Sequence, residues 1–458
     1  MIKRRLVVAT AAAVTMLIPL SGCSAGGGLG AQSPAPTRTS SVDPAVEKAA
    51  KDFKGTFTYW TGLTFPDEGN KIEQQQIEQW GKDLGIDVEV VAVNQNDTSK
   101  RVAAALQSGS MPDALTVGYD LSKVMAAKDQ LAPLDDSYKA IGEKHQGWFE
   151  PIDKATTDPS WGGSVYGIPL GFFGNILFQR QDLLKAKGIT DAPKTWDEFA
   201  DDAAKITNAP KVYGAGLALS NVLDGNLMTA VMQSFGGRVA DDAGQKCTID
   251  SPETVKFLDW VSGLYKKGVI PPDSVTWDGA GDNNAYLSGA AGFIVNTGSV
   301  YLSMADQDPE LEKKSAYGTL PSGPAMTVNP VDIRYRVVPS STDENGKILA
   351  QDLFKVLAED DYNSEYMAKA TYGPVLKSQA SYPIFTDTPA YAALLTIAQS
   401  GGTPPAFPDV ANTAYSEYQN TFSTPHMIQR VVTDGLSSQK AAAEAQVNCQ
   451  KIYDKYTK

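Results

Sequence analysis

Polar and aromatic residues follow directly after three segments whose composition is typical of β-strands. The three clusters are Trp60-Thr61-Gly62, Asn94-Gln95-Asn96 and Gly118-Tyr119-Asp120. Aromatic rings can stack on the flat faces of a ligand. Asp and Asn side chains can hydrogen-bond its polar groups, and the charged partners give the stronger bonds. The clusters therefore predict a binding site for a polar ligand, provided that the fold brings the three segment ends together.

The segments that precede these clusters alternate with helical patterns. Strand-like sequence covers residues 55–60, 86–93 and 112–117, and the apolar residues between them recur at helical spacing. This alternation predicts βαβ units and a parallel sheet. Ligands of such sheets lie beyond the carboxyl ends of the strands, which is where the three clusters fall.

The same patterns continue further along the chain. Ser251 and Pro252 suit the first positions of a strong helix, and Thr195 is a candidate cap for another. The later predicted elements are helices over 196–206, 251–268 and 442–453 and strands over 290–296 and 334–340. The tract WDGAGDNN (277–284) is too polar and glycine-rich for a core helix and is interpreted as a rim loop. A folded body of about 410 residues implies two or more lobes.

Residues that would support common catalytic chemistry are sparse. The chain has two histidines, His145 and His426, which are interpreted as surface residues. Neither has a partner at the H-E-x-x-H spacing, and the P-loop pattern is absent from the sequence. The sequence therefore predicts neither an enzyme nor a metal site or cofactor. A glycosidase needs only two carboxylates, and the 53 acidic residues leave that alternative open.

The N-terminus has the pattern of an export signal. Basic residues precede an uncharged run, Leu6 to Leu20, which is shorter than the roughly 20 apolar residues that span a bilayer. Leu20-Ser21-Gly22-Cys23 resembles the lipobox of bacterial lipoproteins, in which the cysteine is lipidated and becomes the first mature residue. This resemblance implies anchoring by the Cys23 lipid to the outer face of the cytoplasmic membrane of a Gram-positive bacterium.

Charge and cysteine content limit the partners and the compartment. The formal net charge is −13, and no Lys/Arg-rich block follows residue 22, which argues against binding nucleic acid or an acidic lipid surface. Cys247 and Cys449 remain after export. In an oxidising compartment such a pair is expected to form a disulfide, and two separate buried thiols are the alternative.

Six short motifs occur in an order that resembles a known family. They are YGIP at 166–169, NILFQRQDLLK at 175–185, TWDEF at 195–199, GAAGFIVNTGS at 289–299, LPSGP at 320–324 and YGPV at 372–375. In this order the chain resembles the extracellular solute-binding proteins of carbohydrate ABC importers, the group that includes maltose-binding protein. One position departs from the pattern: Val300 stands where the family has an aromatic residue, and Tyr301 follows one position later.

The resemblance implies an α/β fold of two lobes, each a mostly parallel sheet flanked by helices, joined by a hinge of crossing strands. We expect a signal peptide over 1–22 and a lipid-anchored flexible tether over 23–48. Lobe one would comprise 49–168 and 333–378, and lobe two 169–332 and 379–458. Both remaining cysteines would then lie in lobe two, which supports the disulfide.

The resemblance also places ligand-binding residues at the cleft between the lobes. Tryptophans at helical spacing, namely Trp80, Trp196 and Trp260, are interpreted as core, whereas Trp60 and Trp277 could be core or cleft. Asp224 lies in a DG pair, which is also a plain turn signal. The expected ligand-binding residues are Trp60, Asn94, Tyr119, Asp120, Phe172, Asn175, Asp224, Trp277, Asn296, Tyr301 and Tyr415.

The function implied by the resemblance is capture of a sugar and its delivery to a membrane permease. An oligosaccharide is the expected ligand, the protein is expected to be a monomer, and ATP would be consumed by another subunit. A peptide or polyamine receptor of the same fold is the alternative ligand class, and a secreted glycoside hydrolase lipoprotein is a further alternative. The sequence names neither the sugar nor the permease.

Overall fold

A computed structural model describes residues 42–64, 67–94 and 97–456. Cys23 and the other residues before 42 lie outside this part of the chain. The strands are β1 Thr56–Gly62, β2 Asp87–Val93, β3 Ala114–Gly118, β4 Ile168–Phe173, β5 Ile176–Arg180, β6 Tyr213–Gly216, β7 Ala291–Asn296, β8 Ser315–Gly318 and β9 Asp332–Val337.

Helices surround the strands throughout the described residues. They are α1 Pro44–Asp52, α2 Glu68–Leu84, α3 Thr98–Ser108, α4 Tyr119–Ala126, α5 Asp135–Lys144, α6 Glu150–Thr156, α7 Gln181–Lys185, α8 Trp196–Ile206, α9 Leu227–Ser234, α10 Pro252–Lys266, α11 Gly281–Leu287, α12 Ser299–Gln307, α13 Pro309–Lys313, α14 Glu344–Val356, α15 Asp360–Lys369, α16 Pro383–Asp387, α17 Pro389–Thr396, α18 Thr413–Asn420, α19 Ser423–Val432 and α20 Ser438–Tyr453.

The first sheet has the strand order β2-β1-β3-β9-β4. β1 runs parallel to β2 and β3, whereas β9 runs antiparallel to both β3 and β4. Gly118 pairs with Arg334, and Phe173 pairs with Asp332. The carboxyl ends of β1 to β4 and the start of β9 therefore share one edge of this sheet.

The second sheet has the order β6-β7-β5-β8, in which only β6 and β7 are parallel. β5 runs antiparallel to both of its neighbours. The expectation of mostly parallel sheets is confirmed, since all strands but β9 in the first sheet and all but β5 in the second run in one direction; these two strands make both sheets mixed. The physical reason is that β5 and β9 are crossing strands, which enter their sheets from the other sheet and against the direction of their neighbours.

Strand β4 corrects one predicted lobe boundary. The sequence assigns residues 169–173 to lobe two, but they pair with β9 in the first sheet. The first crossing lies at Gly174 and Asn175, between the end of β4 and the start of β5.

Local sequence signals account for several helix ends. Thr195 Oγ1 accepts from Glu198 N at 3.1 Å, and Ser251 Oγ accepts from Thr254 N at 3.1 Å, which confirms both as N-caps. Gly85 ends α2 in the left-handed conformation with φ 69°.

The helix α1 corrects the extent of the predicted tether. The sequence assigns residues 44–48 to a flexible segment, but they form the first half of α1, which packs on α14. Val46 and Ala49 are buried in this contact, and Asp43 caps the helix. Burial of these two apolar side chains compensates for the conformational entropy that the chain loses when α1 forms. Small and polar residues alone could not compensate for that loss.

Two apolar clusters form the core. One surrounds the first sheet and continues to the helices after residue 380, and it includes Trp80. The other packs against the second sheet and includes Trp196, with Trp260 at its edge. The predicted core positions of these tryptophans are confirmed.

A disulfide joins two segments of the second cluster, one of them the last helix. The Sγ atoms of Cys247 and Cys449 are 2.00 Å apart, and their Cα atoms are 5.9 Å apart. Gln446 on α20 adds a hydrogen bond from its Nε2 to Cys247 O at 2.6 Å. The C-terminal helix is therefore fixed to a segment 202 residues earlier in the chain.

No helix among the described residues has both the length and the apolar character that crossing a bilayer requires.

Candidate ligand-binding cleft

A short segment joins the last strand of the first sheet to a strand of the second sheet. β4 ends at Phe173 and β5 begins at Ile176, so two residues connect the sheets. In the second sheet Ile176 pairs with Asn296, and Leu177 pairs with Gly318. The carboxyl ends of β6, β7 and β8 therefore lie at the edge where β5 begins. Since this edge adjoins the carboxyl edge of the first sheet, the two edges form the walls of one candidate cleft.

Asn175 holds the crossing segments together. Its Nδ2 donates to Pro330 O at 3.1 Å and to Asn329 Oδ1 at 3.4 Å. The neighbouring segment then pairs with Thr403, which donates its N–H to Asn329 O at 2.8 Å. The Asn175 amide thus bonds the first crossing to the segment at 329–330, and its contact with a ligand stays a prediction.

The wall formed by the first sheet carries an aromatic ring and an ion pair. The Phe173 ring is partly exposed, stacks on Tyr372 with centroids 4.9 Å apart, and lies 4.6 Å from the Arg334 guanidinium carbon. Arg334 Nη2 donates to Asp332 Oδ2 at 2.8 Å. None of these three cleft residues, Phe173, Arg334 and Asp332, is among the predicted site residues.

Asp120 lies in the first turn of α4, directly after β3, and is partly exposed. Ser416 Oγ on α18 donates to its Oδ1 at 2.7 Å. Burial raises the pKa of Asp120 to about 7, and the charge of Asp332 adds to this effect, whereas Ser416, Lys123 and Arg334 oppose it. The carboxyl group therefore changes its protonation near neutral pH, at a contact between α4 and α18.

The wall formed by the second sheet is built around Asn296. Its Nδ2 donates to Asp282 Oδ2 at 2.7 Å and to Asn283 Oδ1 at 2.6 Å. Its Oδ1 accepts from Thr297 N at 2.7 Å, so both ends of the side-chain amide are hydrogen-bonded to the protein. Asn296 therefore positions the Asp282 carboxylate at the end of β7.

Asp224 and Asp282 are close enough to influence each other. Burial raises the pKa of Asp224 to about 8, and the Asp282 charge contributes. Burial likewise raises the pKa of Asp282 to about 6, opposed by the hydrogen bond from Asn296. The two carboxylates titrate as a pair, with higher pKa values than isolated aspartates have.

Trp277 packs on the first residue of α11. Its indole ring is partly exposed and lies against Gly281, where a Cβ atom would be only 2.4 Å from the ring carbon Cγ. The glycine therefore permits the ring to pack directly on the start of α11, the helix that carries Asp282. Gly281 also begins α11, so the predicted rim loop over 277–284 is wrong in its second half, which is helical.

Three predicted ligand-binding residues are instead core residues. Tyr119 is 1 % exposed and packs edge-on against Trp161, with centroids 5.6 Å apart. Phe172 is fully buried, because neighbouring residues on a strand point to opposite faces and Phe173 takes the exposed one. Tyr415 is buried, and its hydroxyl accepts a hydrogen bond from Gln233 Nε2 at 3.3 Å. The structure removes all three from the ligand-facing set.

Three predicted ligand-binding residues remain, and protein neighbours cover part of two of them. Trp60 is 8 % exposed at the end of β1, and the Arg101 guanidinium carbon lies 4.5 Å from its ring centroid. Asn94 is exposed directly after β2. Tyr301 packs on two other tyrosines, with its ring centroid 5.8 Å from that of Tyr317 and 6.0 Å from that of Tyr391.

The sequence predicts that both histidines lie on the surface, which is wrong for one of them. His145 is 2 % exposed, and its Nδ1 lies 3.3 Å from Asp360 Oδ1, so it belongs to the core at the end of α5. His426 is exposed. Among the residues that the structure describes, no group of three or more His, Cys, Asp or Glu side chains is placed to hold a metal ion.

Two mixed sheets joined by short crossings, with polar and aromatic side chains on facing edges, define the class of two-lobe solute-binding proteins. The chain belongs to the bacterial extracellular solute-binding protein family, whose model matches residues 65–364.

Known proteins of this kind are similar over most of the chain. The diacetylchitobiose binding protein DasA of Streptomyces coelicolor is 22 % identical over 81 % of this chain and 85 % of its own length. A probable ABC transporter-binding protein of Deinococcus radiodurans is 24 % identical over 75 % of this chain and 82 % of its own length. The structure of maltose-bound MalE3 of T. maritima matches with a TM-score of 0.75 at 21 % identity, covering 87 % of this chain and 99 % of that one.

Proposed function

We propose that this protein captures a sugar, and specifically an oligosaccharide, in the cleft between the two sheet edges. The observation that carries the proposal is that each edge offers a partly exposed aromatic ring: Phe173, which pairs with Asp332 across two strands, and Trp277, which packs on Gly281 at the start of α11. Rings can stack on the C–H faces of a sugar, and carboxylates can accept hydrogen bonds from its hydroxyls. Two rings on separate walls suit more than one sugar unit.

The relatives support this ligand class. Their names and titles refer to diacetylchitobiose and maltose, which are both disaccharides. We propose that the loaded protein closes by hinge motion about the crossings at Asn175 and delivers its cargo to an ABC permease, without chemical change to the sugar.

We further propose that the protein acts as a monomer outside the cell, anchored through lipid on Cys23. Lobe one would comprise residues 49–173 and 333–378, with its boundary moved to the crossing at 174–175, and lobe two the rest of the folded chain. The lipobox resemblance supports the anchor, because the cysteine of a lipobox is lipidated. Two or more acyl chains hold a protein stably at a membrane.

The test is calorimetric titration of the purified chain against glucose-, galactose-, mannose-, xylose- and fucose-containing oligosaccharides, with peptides and spermidine as controls. Chromatography before and after titration measures whether the sugar is consumed. Binding of an unhydrolysed oligosaccharide is the expected result. Heat from a peptide or spermidine alone would refute the sugar ligand, and loss of sugar would refute binding without turnover.

A further inference from the structure

Helices α4 and α18 bring the two proposed lobes into direct contact. Tyr119 and Met125 place α4 in the first apolar cluster, whereas Ala414 and Tyr418 place α18 in the second. The two helices pack against each other. Because α4 begins directly after β3, at the carboxyl edge of the first sheet, this contact lies at the cleft.

One hydrogen bond crosses this contact between side chains of the two helices. Ser416 Oγ on α18 donates to Asp120 Oδ1 on α4 at 2.7 Å. Ser416 is 0 % exposed, so its hydroxyl lies against the protein and is not available to a ligand in the cleft. If α18 moved away from α4, the hydroxyl would lose this acceptor, and a lost hydrogen bond of this kind changes an equilibrium about 5- to 10-fold.

A second hydrogen bond joins the same two bodies beside the first. Ser160 lies in a turn next to Trp161, which belongs to the first cluster, and its Oγ donates to Ala411 O at 2.8 Å, just before α18. The buried Lys123 on α4 donates from its Nζ to Ser160 Oγ at 2.5 Å and so fixes the position of this oxygen. Asp158 Oδ1 competes for the single Ser160 proton. The second bond is therefore weaker than the first.

Both bonds depend on how the lobes stand to each other. Hinge motion about the crossings would separate α4 from α18, because the first lobe carries α4 and the second carries α18. The two bonds then form only when the cleft is closed. A sugar enters the open cleft before closure, so a bond of the closed state slows dissociation and leaves association unaffected.

We infer that Ser416, and to a smaller extent Ser160, determine how slowly the cargo leaves, because they hold the closed state through Asp120 and Ala411. Ser416 is thus a positioning residue that acts through Asp120 and does not touch the sugar. This inference rests on the proposed function, because it concerns release of the sugar that the cleft binds.

The test measures association and dissociation rate constants of the full chain by stopped-flow tryptophan fluorescence. The probe is the tightest-binding member of the glucose-, galactose-, mannose-, xylose- and fucose-containing oligosaccharide panel. Ser416→Ala is expected to raise the dissociation rate constant about 5- to 10-fold, and Ser160→Ala about 2- to 3-fold. The association rate constant should fall by less than about 2-fold in both. Ser108→Ala is the matched control, because this exposed hydroxyl donates within its own helix, to Ala104 O at 2.8 Å, and both rate constants should match the wild type.

Unchanged dissociation in both Ser416→Ala and Ser160→Ala would overturn the inference while the wild type still binds the sugar. A weaker affinity that arises mainly from slower association would also overturn it, because that result indicates a damaged binding site. A wild type that binds no member of the panel would refute the proposed function, and the inference with it.

Discussion

Replacing Asp120 with asparagine is expected to stabilise the protein increasingly as the pH rises from about 4 to about 7. In the folded protein burial holds the pKa of Asp120 at about 7, compared with 3.8 for an unperturbed aspartate. Between these two values the unfolded chain has lost the proton while the folded chain retains it. The free energy of unfolding of the wild type therefore falls as the pH rises through this window, whereas asparagine has no proton to lose.

The magnitude follows from the difference in pKa. A difference of about 3 units corresponds to at most about 4 kcal/mol at pH 7 and above. Asp120 is partly exposed, and water that reaches the carboxylate reduces this cost, so we expect a gain of about 2 kcal/mol. The Ser416 hydroxyl, which donates to Asp120 Oδ1, can donate equally to the side-chain oxygen of the introduced asparagine, so little of that bond is lost.

The measurement is urea unfolding of the wild type and Asp120→Asn at about pH 4, 5.5, 7 and 8, which spans the expected window. The difference in unfolding free energy should be near zero at the lowest pH, grow through the window and level off above neutral pH. Titrating groups that do not interact with Asp120 cancel in this difference, and Asp201→Asn controls for the loss of one exposed charge. A difference that stays constant with pH, or that favours the wild type at the highest pH, would refute the assignment of a buried, proton-bearing carboxyl group.

Three further substitutions test the cleft and the disulfide. Phe173→Ala should weaken binding of the best oligosaccharide about 10-fold, measured by calorimetry, with little loss of stability, because the ring is partly exposed. Phe172→Ala should instead cost about 3–5 kcal/mol of unfolding free energy, because the ring is fully buried; the reverse pattern would contradict the strand orientation. Cys449→Ser should lower the unfolding free energy by about 2–5 kcal/mol, measured in urea without reductant, because the disulfide closes a long loop. No change relative to the wild type would contradict a formed disulfide.

Local signals in the sequence account well for the elements of the fold. The Thr195 and Ser251 caps are determined by the side chains within the first turn of each helix, so a short window of sequence contains the physical cause. The strands of the first βαβ units are predictable for the same reason, because alternation and flanking turns are local. The antiparallel strand of the first sheet is not predictable in this way, because β9 follows β8 of the second sheet and its position depends on where the chain re-enters the first sheet.

The cleft residues are harder to predict because long-range pairing assembles them. Arg334 and Asp332 come to the edge only because β9 inserts between β3 and β4, two strands that lie far earlier in the chain. For Phe172 and Phe173 a signal is present: alternation along β4 allows only one of the two rings to face out. The resemblance identifies the segment but does not fix the register, and it selects the wrong neighbour.

The disulfide between Cys247 and Cys449 gives the molecule an unusual response to a protease. The bond encloses β7, β8, β9 and the later crossing at Thr403, so it surrounds strands of both sheets. A single cut anywhere between the two cysteines yields two pieces that stay covalently attached. In the oxidising space outside a cell, a nicked protein would therefore keep its two pieces tethered at high effective concentration, and separating them would need a reductant.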